Sequence, residues 1–171
     1  MTTILKAALL IGALALAACQ NPDRFGAGAG DGAGGTGIDQ SALGGVNDPR
    51  SPAYFKATIG DTVRFAVDQH TLTPEAQTTL AAQAQWLAEN PGYAALIEGH
   101  ADEQGTRIYN IALGERRANS VREFLISRGV SASRITTISY GKERPIAVCD
   151  NESCWSQNRR AVTVLTATST S

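Results

Sequence analysis

One arginine stands where the helical pattern calls for an apolar side chain. Leu113, Val121 and Phe124 mark one stripe of a helix, and Arg117 falls within it, midway between Leu113 and Val121. Its neighbour Arg116 points elsewhere, to solvent. A guanidinium in an apolar stripe must be paired or must snorkel, because an unpaired buried charge costs several kcal/mol. The acid expected to lie close in space is Asp102, in the segment Gly99-His100-Ala101-Asp102-Glu103, a loop that precedes the helix. In α/β sheets ligands collect beyond the carboxyl ends of strands, which is where such a loop sits. Asp102 and Arg117 therefore allow two readings: an internal ion pair pinning helix to loop, or a carboxylate and a guanidinium facing one zwitterionic ligand.

His100, Asp102 and Ser139 also suggest a hydrolase. No G-x-S-x-G turn carries Ser139, however, and one histidine with one acid makes no triad. His100 reads as a structural loop residue, and the chain as a binding module with no catalytic residue and no cofactor.

The elements that must hold these residues follow from periodicity. Thr62 to Val67 alternates Val63, Phe65 and Val67 on one side, the mark of a half-buried strand. Thr73-Pro74-Glu75 opens a helix with a capping hydroxyl, a first-turn proline and an acid near the positive end of the dipole. That helix runs to about Asn90 with Leu80, Ala84 and Leu87 on one face, and Asn90-Pro91-Gly92 stops it. Tyr93 to Glu98 is a second strand, Arg107 to Arg128 a second long helix ending on Gly129, Ile135 to Tyr140 a third strand and Arg160 to Leu165 a fourth. The fold class is α/β, a four-stranded mixed sheet with two long helices packed on one face.

A chain of 171 residues suits one ordinary domain. Lys and Arg total 15 against 16 acids, a net charge of −1, which excludes nucleic acid as the main partner and a polybasic membrane surface as a docking mode. The glycines are crowded, seven of them falling between Gly26 and Gly37. Ahead of them, Lys6 is the only charge before Asp23, and the apolar run Ala7 to Ala18 is shorter than the roughly 20 residues of a membrane span. This is the layout of a secretory leader. Its end, Leu16-Ala17-Ala18-Cys19, resembles the lipobox of bacterial lipoproteins, in which the peptide is cut before the cysteine and the cysteine is acylated, palmitate included. By resemblance to enterobacterial sorting rules, Gln20 after the cysteine implies the outer membrane, with the domain facing the periplasm. Residues 1–18 are thus expected to be signal peptide, 19–51 the lipid anchor and a Gly/Ala-rich flexible tether, and 52–171 the domain. Gly26 to Gly45 has no periodic apolar face and should span roughly 25–30 Å as a coil.

With Cys19 assigned to lipid, Cys149 and Cys154 remain, and an oxidising compartment favours a disulfide between them. The rival is half of a zinc site, but C-x-x-C spacing is absent and the histidines are only His70 and His100, so no metal is expected.

Gly99-His100-Ala101-Asp102, Gly105, Tyr109-Asn110, Leu113-Gly114-Glu115-Arg116-Arg117-Ala118 and Val121 resemble the signature of the OmpA C-terminal-like domain. Ser139-Tyr140-Gly141-Lys142-Glu143, Pro145 and Asn158-Arg159-Arg160-Ala161-Val162 continue it, so that the resemblance covers about Thr62 to Leu165. It implies non-covalent binding of peptidoglycan through the diaminopimelate of the stem peptide. Asp102 would engage the diaminopimelate and Arg117 take its carboxylate, since a guanidinium fork fits a carboxylate bidentately. Asp68 and Val67 would line the same groove after the first strand, and Leu113 would line it through its backbone. Gln104 stands where some relatives have arginine, and Ala66 where others have aspartate or glycine. Lipid-anchored members of this family further imply a TolB-like periplasmic propeller as partner, within the Tol system that maintains the outer membrane and supports constriction at division.

Overall fold

The structure, a computed structural model, describes residues 45–168; the expected signal peptide, Cys19 and most of the tether lie outside the described residues. The described chain runs α1 (Pro52–Tyr54), a π-helical stretch Phe55–Gly60, β1 (Thr62–Arg64), α2 (Pro74–Glu89), β2 (Tyr93–His100), α3 (Arg107–Ser127), a 3-10 turn Ala132–Arg134, β3 (Ile135–Gly141), α4 (Glu152–Asn158) and β4 (Arg160–Ala167). The sheet order is β1-β4-β2-β3, with β2 and β3 parallel and the other pairs antiparallel.

Alternation decides which sheet face is covered. Val63, Ala161, Thr163, Ala95 and Ile97 are buried beneath α2 and α3, whereas Leu96, Val162 and Val164 on the opposite face are only half-buried. α2 starts as its sequence asks: Thr73 Oγ1 accepts from the Ala76 amide (3.2 Å), and Pro74 fills the first turn. Its inner face is Ala76, Leu80, Gln83, Ala84, Trp86 and Leu87. Gln83 is fully buried because both ends of its amide are satisfied: Nε2 donates to Gly60 O (2.6 Å) and Oε1 accepts from Thr163 Oγ1 (2.8 Å). Phe55 meets Trp86 edge-on at 5.0 Å. The domain's contacts begin before Pro52, since Trp86 Nε1 donates to Pro49 O (2.7 Å) and Ser51 Oγ to Gly45 O (2.7 Å).

α3 lies against the sheet at backbone contact. A Cβ on Gly99 would stand 1.9 Å from Gly114 O, and one on Gly114 2.4 Å from Ser139 Oγ, so both positions require glycine. The inward stripe of α3 is Asn110, Leu113, Gly114, Arg117, Ala118, Val121 and Leu125. Leu125 thus takes the place expected for Phe124, which is half-buried beneath the Arg128 guanidinium at 4.9 Å.

Four further boundaries differ from the sequence reading. β1 ends at Arg64 and not Val67: the Phe65 amide still reaches Arg159 O (3.0 Å), but Gln69 N then bonds to Ala66 O (3.2 Å) and Asp68 turns left-handed at φ 56°. His100 is the last residue of β2, not of a loop. β4 extends to Ala167. The segment after Cys149, where the sequence pattern marks no element, holds the short helix α4.

Candidate functional site

The turn after β1, the loop after β2 and the first two turns of α3 enclose a groove of about 270 Å³ lined by Val67, Asp68, Asp102, Gln104, Gly105, Tyr109, Asn110 and Leu113. Val67, Asp68, Asp102 and Leu113, singled out from the sequence, therefore line one groove. A larger hollow of about 360 Å³ between β1 and α2 includes Arg64 and Glu75, both exposed, and no buried charge lines it.

Asp68 owes its position to backbone geometry. Its φ of 56° costs an L-residue roughly 1–2 kcal/mol, which aspartate bears better than most. The Tyr109 hydroxyl donates to Asp68 Oδ1, and this bond is the first cause of a raised Tyr109 pKa. Asn110, buried at 1% exposure, spends its Nδ2 on the Asp102 and Gln104 carbonyls (3.2 and 2.8 Å) and so clamps the loop that carries Asp102. Its Oδ1 has no partner.

Asp102 does not pair with Arg117. Its Oδ2 accepts from Arg159 Nη1 at 3.1 Å and its Oδ1 from the Gln104 amide at 3.2 Å. Arg159 is held in turn by Phe65 O (Nε, 3.2 Å) and by Glu152, to which both Nη1 (3.1 Å) and Nη2 donate. That bond to Glu152 is the main reason the Arg159 pKa rises and the Glu152 pKa falls. Arg159 is the site residue that periodicity could not find, because it flanks a strand; the signal available was the run Asn158-Arg159-Arg160 directly before an apolar strand.

Arg117 sits behind the wall, fully buried, with every nitrogen engaged by a carbonyl: Nε by Gln69 O (2.8 Å), Nη1 by His100 O (2.8 Å) and Nη2 by Ala66 O (3.2 Å). Its guanidinium also lies 5.1 Å over the Phe65 ring. Burial lowers its pKa to about 10, with Asp102 the leading influence in the other direction, so it stays charged at neutral pH. Arg117 thus ties the turn after β1 to the end of β2. The internal partner expected for it exists, but as three carbonyls and not as the Asp102 carboxylate.

His100 and Ser139 form no couple: Ser139 Oγ donates to Ile111 O (2.7 Å), and neither ring nitrogen of His100 has a hydrogen-bond partner. Burial first, then Arg160 and Arg144, push the His100 pKa down to about 4, which outweighs Glu98 at 3.8 Å. Cys149 and Cys154 are bonded, with Cα atoms 5.6 Å apart. Among the described residues no group of three or more His, Cys, Asp or Glu side chains is placed to hold a metal ion. The groove offers carboxylates, a phenol and a buried guanidinium behind them, a set suited to holding a small zwitterion by hydrogen bonds and charge.

Residues 64–160 match the OmpA family. The chain is 60% identical over 121 residues to a peptidoglycan-associated lipoprotein of Mesorhizobium japonicum, covering 71% of this chain and 72% of the relative. It is 55% identical over 154 residues to one of Agrobacterium fabrum, covering 90% and 82%. The fold matches the crystal structure of the peptidoglycan-associated lipoprotein from Burkholderia pseudomallei with a TM-score of 0.63 at 39% identity, over 71% of this chain and 98% of that one.

Proposed function

The chain belongs to the OmpA family, among its peptidoglycan-associated lipoproteins, and from that premise we propose that the groove binds the diaminopimelate of peptidoglycan stem peptides non-covalently. The observation that carries the reading is Asp102: a carboxylate 6% exposed on a groove wall, with one protein hydrogen bond to each oxygen and lone pairs left for a ligand ammonium. Asp68, fixed by Tyr109, adds a second acceptor on the facing turn. Arg117 supplies the positive charge for the ligand carboxylate. Three of the five N–H donors of a guanidinium are spent on carbonyls, which leaves two. The turn Ala66–Gln69 must yield for these two to reach a ligand.

In the same proposal the chain is anchored in the outer membrane through acylated Cys19, its domain reaches the cell wall across the periplasm on the tether, and a TolB-like propeller is its protein partner in maintaining the envelope. What supports this is the lipobox, the Gln20 that follows it and the lipoprotein names of the relatives. The test is co-sedimentation with isolated sacculi. Asp102→Asn keeps the shape and removes the charge, and should weaken binding at least tenfold, about 1.4 kcal/mol or more. Parent-like sedimentation of that variant would refute the assignment. Release of soluble fragments from the sacculi would instead reveal a hydrolase. A pull-down with the propeller tests the partner, and consistent failure would place the protein outside the Tol system.

A further inference from the structure

Asp102 shares the one cationic side-chain partner it has among the described residues. Arg159 Nη1 donates to Asp102 Oδ2 and to Glu152 Oε2, each at 3.1 Å, while Nη2 donates to Glu152 Oε1. A guanidinium binds a carboxylate most tightly when two N–H groups go to its two oxygens. Glu152 holds that bidentate arrangement, and Asp102 receives a single shared arm.

The charge balance points the same way. The acids that act on Arg117 and Arg159 are Asp68, Asp102 and Glu152, so these five groups carry a net charge of −1. Without Glu152 the set is neutral, and Arg159 is free to close bidentately on Asp102, filling the lone pairs that a ligand ammonium would use.

Glu152 is poorly held by its surroundings. Its side chain is 60% exposed, and it is the first residue of α4, a helix of seven residues, too short to persist on propensity alone. Two local constraints fix it. Asn151 caps the helix by accepting from the Ser153 amide (3.0 Å), and the Cys149–Cys154 bond closes a loop around Asn151 and Glu152.

We propose that Glu152 is a positioning residue for ligand binding: by occupying the Arg159 fork it keeps Asp102 open to the ligand's ammonium, and the Cys149–Cys154 bridge keeps Glu152 in reach. This rests on the reading of Asp102 as the ammonium-binding carboxylate, and the experiment separates the two. Affinity of the purified chain is measured by calorimetry for an N-terminally acetylated stem tripeptide ending in meso-diaminopimelate, whose side-chain amine is free, and for the same tripeptide with that amine acetylated too. Glu152→Gln should bind the free-amine peptide roughly 3- to 10-fold more weakly and the doubly acetylated peptide within about twofold of the parent. Glu152→Asp, which keeps the charge, should recover part of the loss. The double variant Cys149→Ser/Cys154→Ser should weaken the free-amine peptide in the same direction by a smaller factor. Equal loss on both peptides would mean a loosened fold and would overturn the proposal, as would parent-like binding by Glu152→Gln. Parent-like binding by the double serine variant would remove the role of the bridge. Asp102→Asn is the control: if it binds as the parent does, the groove reading itself fails, whereas if it loses binding and Glu152→Gln does not, only the present inference falls.

Discussion

Replacing Arg117 with alanine should damage the fold before it damages recognition. The side chain is fully buried and donates to three main-chain carbonyls on two different segments, at 2.8, 2.8 and 3.2 Å. His100 O lies inside and, once orphaned, costs about 1–3 kcal/mol; the carbonyls of Ala66 and Gln69 belong to exposed residues that water can reach, at roughly 0.5–1 kcal/mol each. The void against Phe65 and the lost cation–π contact at 5.1 Å add about 1 kcal/mol, and relief of the buried charge returns part of the total. The net loss is about 3–5 kcal/mol, up to half the stability of a typical domain.

Urea unfolding followed by tryptophan fluorescence gives the number, because Trp86 is buried in the core. With a slope of about 2 kcal/mol per molar, the midpoint should fall by roughly 2 M. Arg117→Lys keeps the charge but lacks the fork, and should lose about half as much. Asp102→Asn is the contrasting variant: Arg159 retains Glu152, so the cost should stay under about 2 kcal/mol. An Arg117→Ala midpoint within about 0.3 M of the parent, together with lost sacculus binding, would refute this reasoning and make Arg117 a free ligand-binding group.

Two further outcomes follow from other buried positions. His100 has its pKa lowered to about 4 in the fold, so the unfolded chain takes up the proton first: its contribution is intact above pH 6.5 and is lost as the pH falls toward 4. Between pH 7 and 4.5 the parent should lose about 2–3 kcal/mol more than His100→Phe, measured as the difference in urea stability; equal losses would contradict a neutral buried imidazole. Gly114→Ala places a Cβ 2.4 Å from Ser139 Oγ and 2.9 Å from Gly99 O, so α3 must lift from the sheet, and thermal unfolding should drop by roughly 10 °C or more, for about 3 kcal/mol.

The elements that sequence periodicity could reach are those whose burial follows local spacing. Leu80, Ala84 and Leu87 repeat along one face of α2, and Thr73-Pro74-Glu75 carries its own start signal, so that helix was legible nearly to the residue. The end of β1 was not, because Ala66-Val67-Asp68-Gln69 turns without a glycine or proline to signal it. The turn is held by Arg117, which reaches Gln69 and Ala66 from 48 and 51 residues away. Arg159 was overlooked for a related reason: its acid partners lie 57 residues distant at Asp102 and seven at Glu152, and the latter sits on a helix too short for any periodic signal. Taking Phe124 for the stripe position of Leu125 is a one-residue slip, natural in a helix whose inward face includes Asn110, Gly114 and Arg117.

If the groove binds as proposed, the distribution of charge accounts for how a chain of net charge −1 would grip a zwitterion. A long-range field draws one sign of charge, and screening weakens it within about 8–10 Å at physiological salt. A zwitterion of no net charge gains little from it and must be met by opposite charges a few ångströms apart. Such charges collapse onto each other unless each is held by something else. Arg117 is kept off Asp102 by three carbonyls, and Arg159 is kept from closing on Asp102 by Glu152. In the proposed site, the hydrogen bonds that restrain the two guanidinium groups therefore act on binding by leaving Asp102 one shared arm of Arg159 and none of Arg117. The price is stability, since two arginines are buried where apolar side chains of equal size would pack without desolvation cost. Replacing Arg159 by methionine would leave Asp102 an uncompensated buried charge, and replacing Arg117 would orphan the His100 carbonyl, so each change alone should lower stability in urea unfolding.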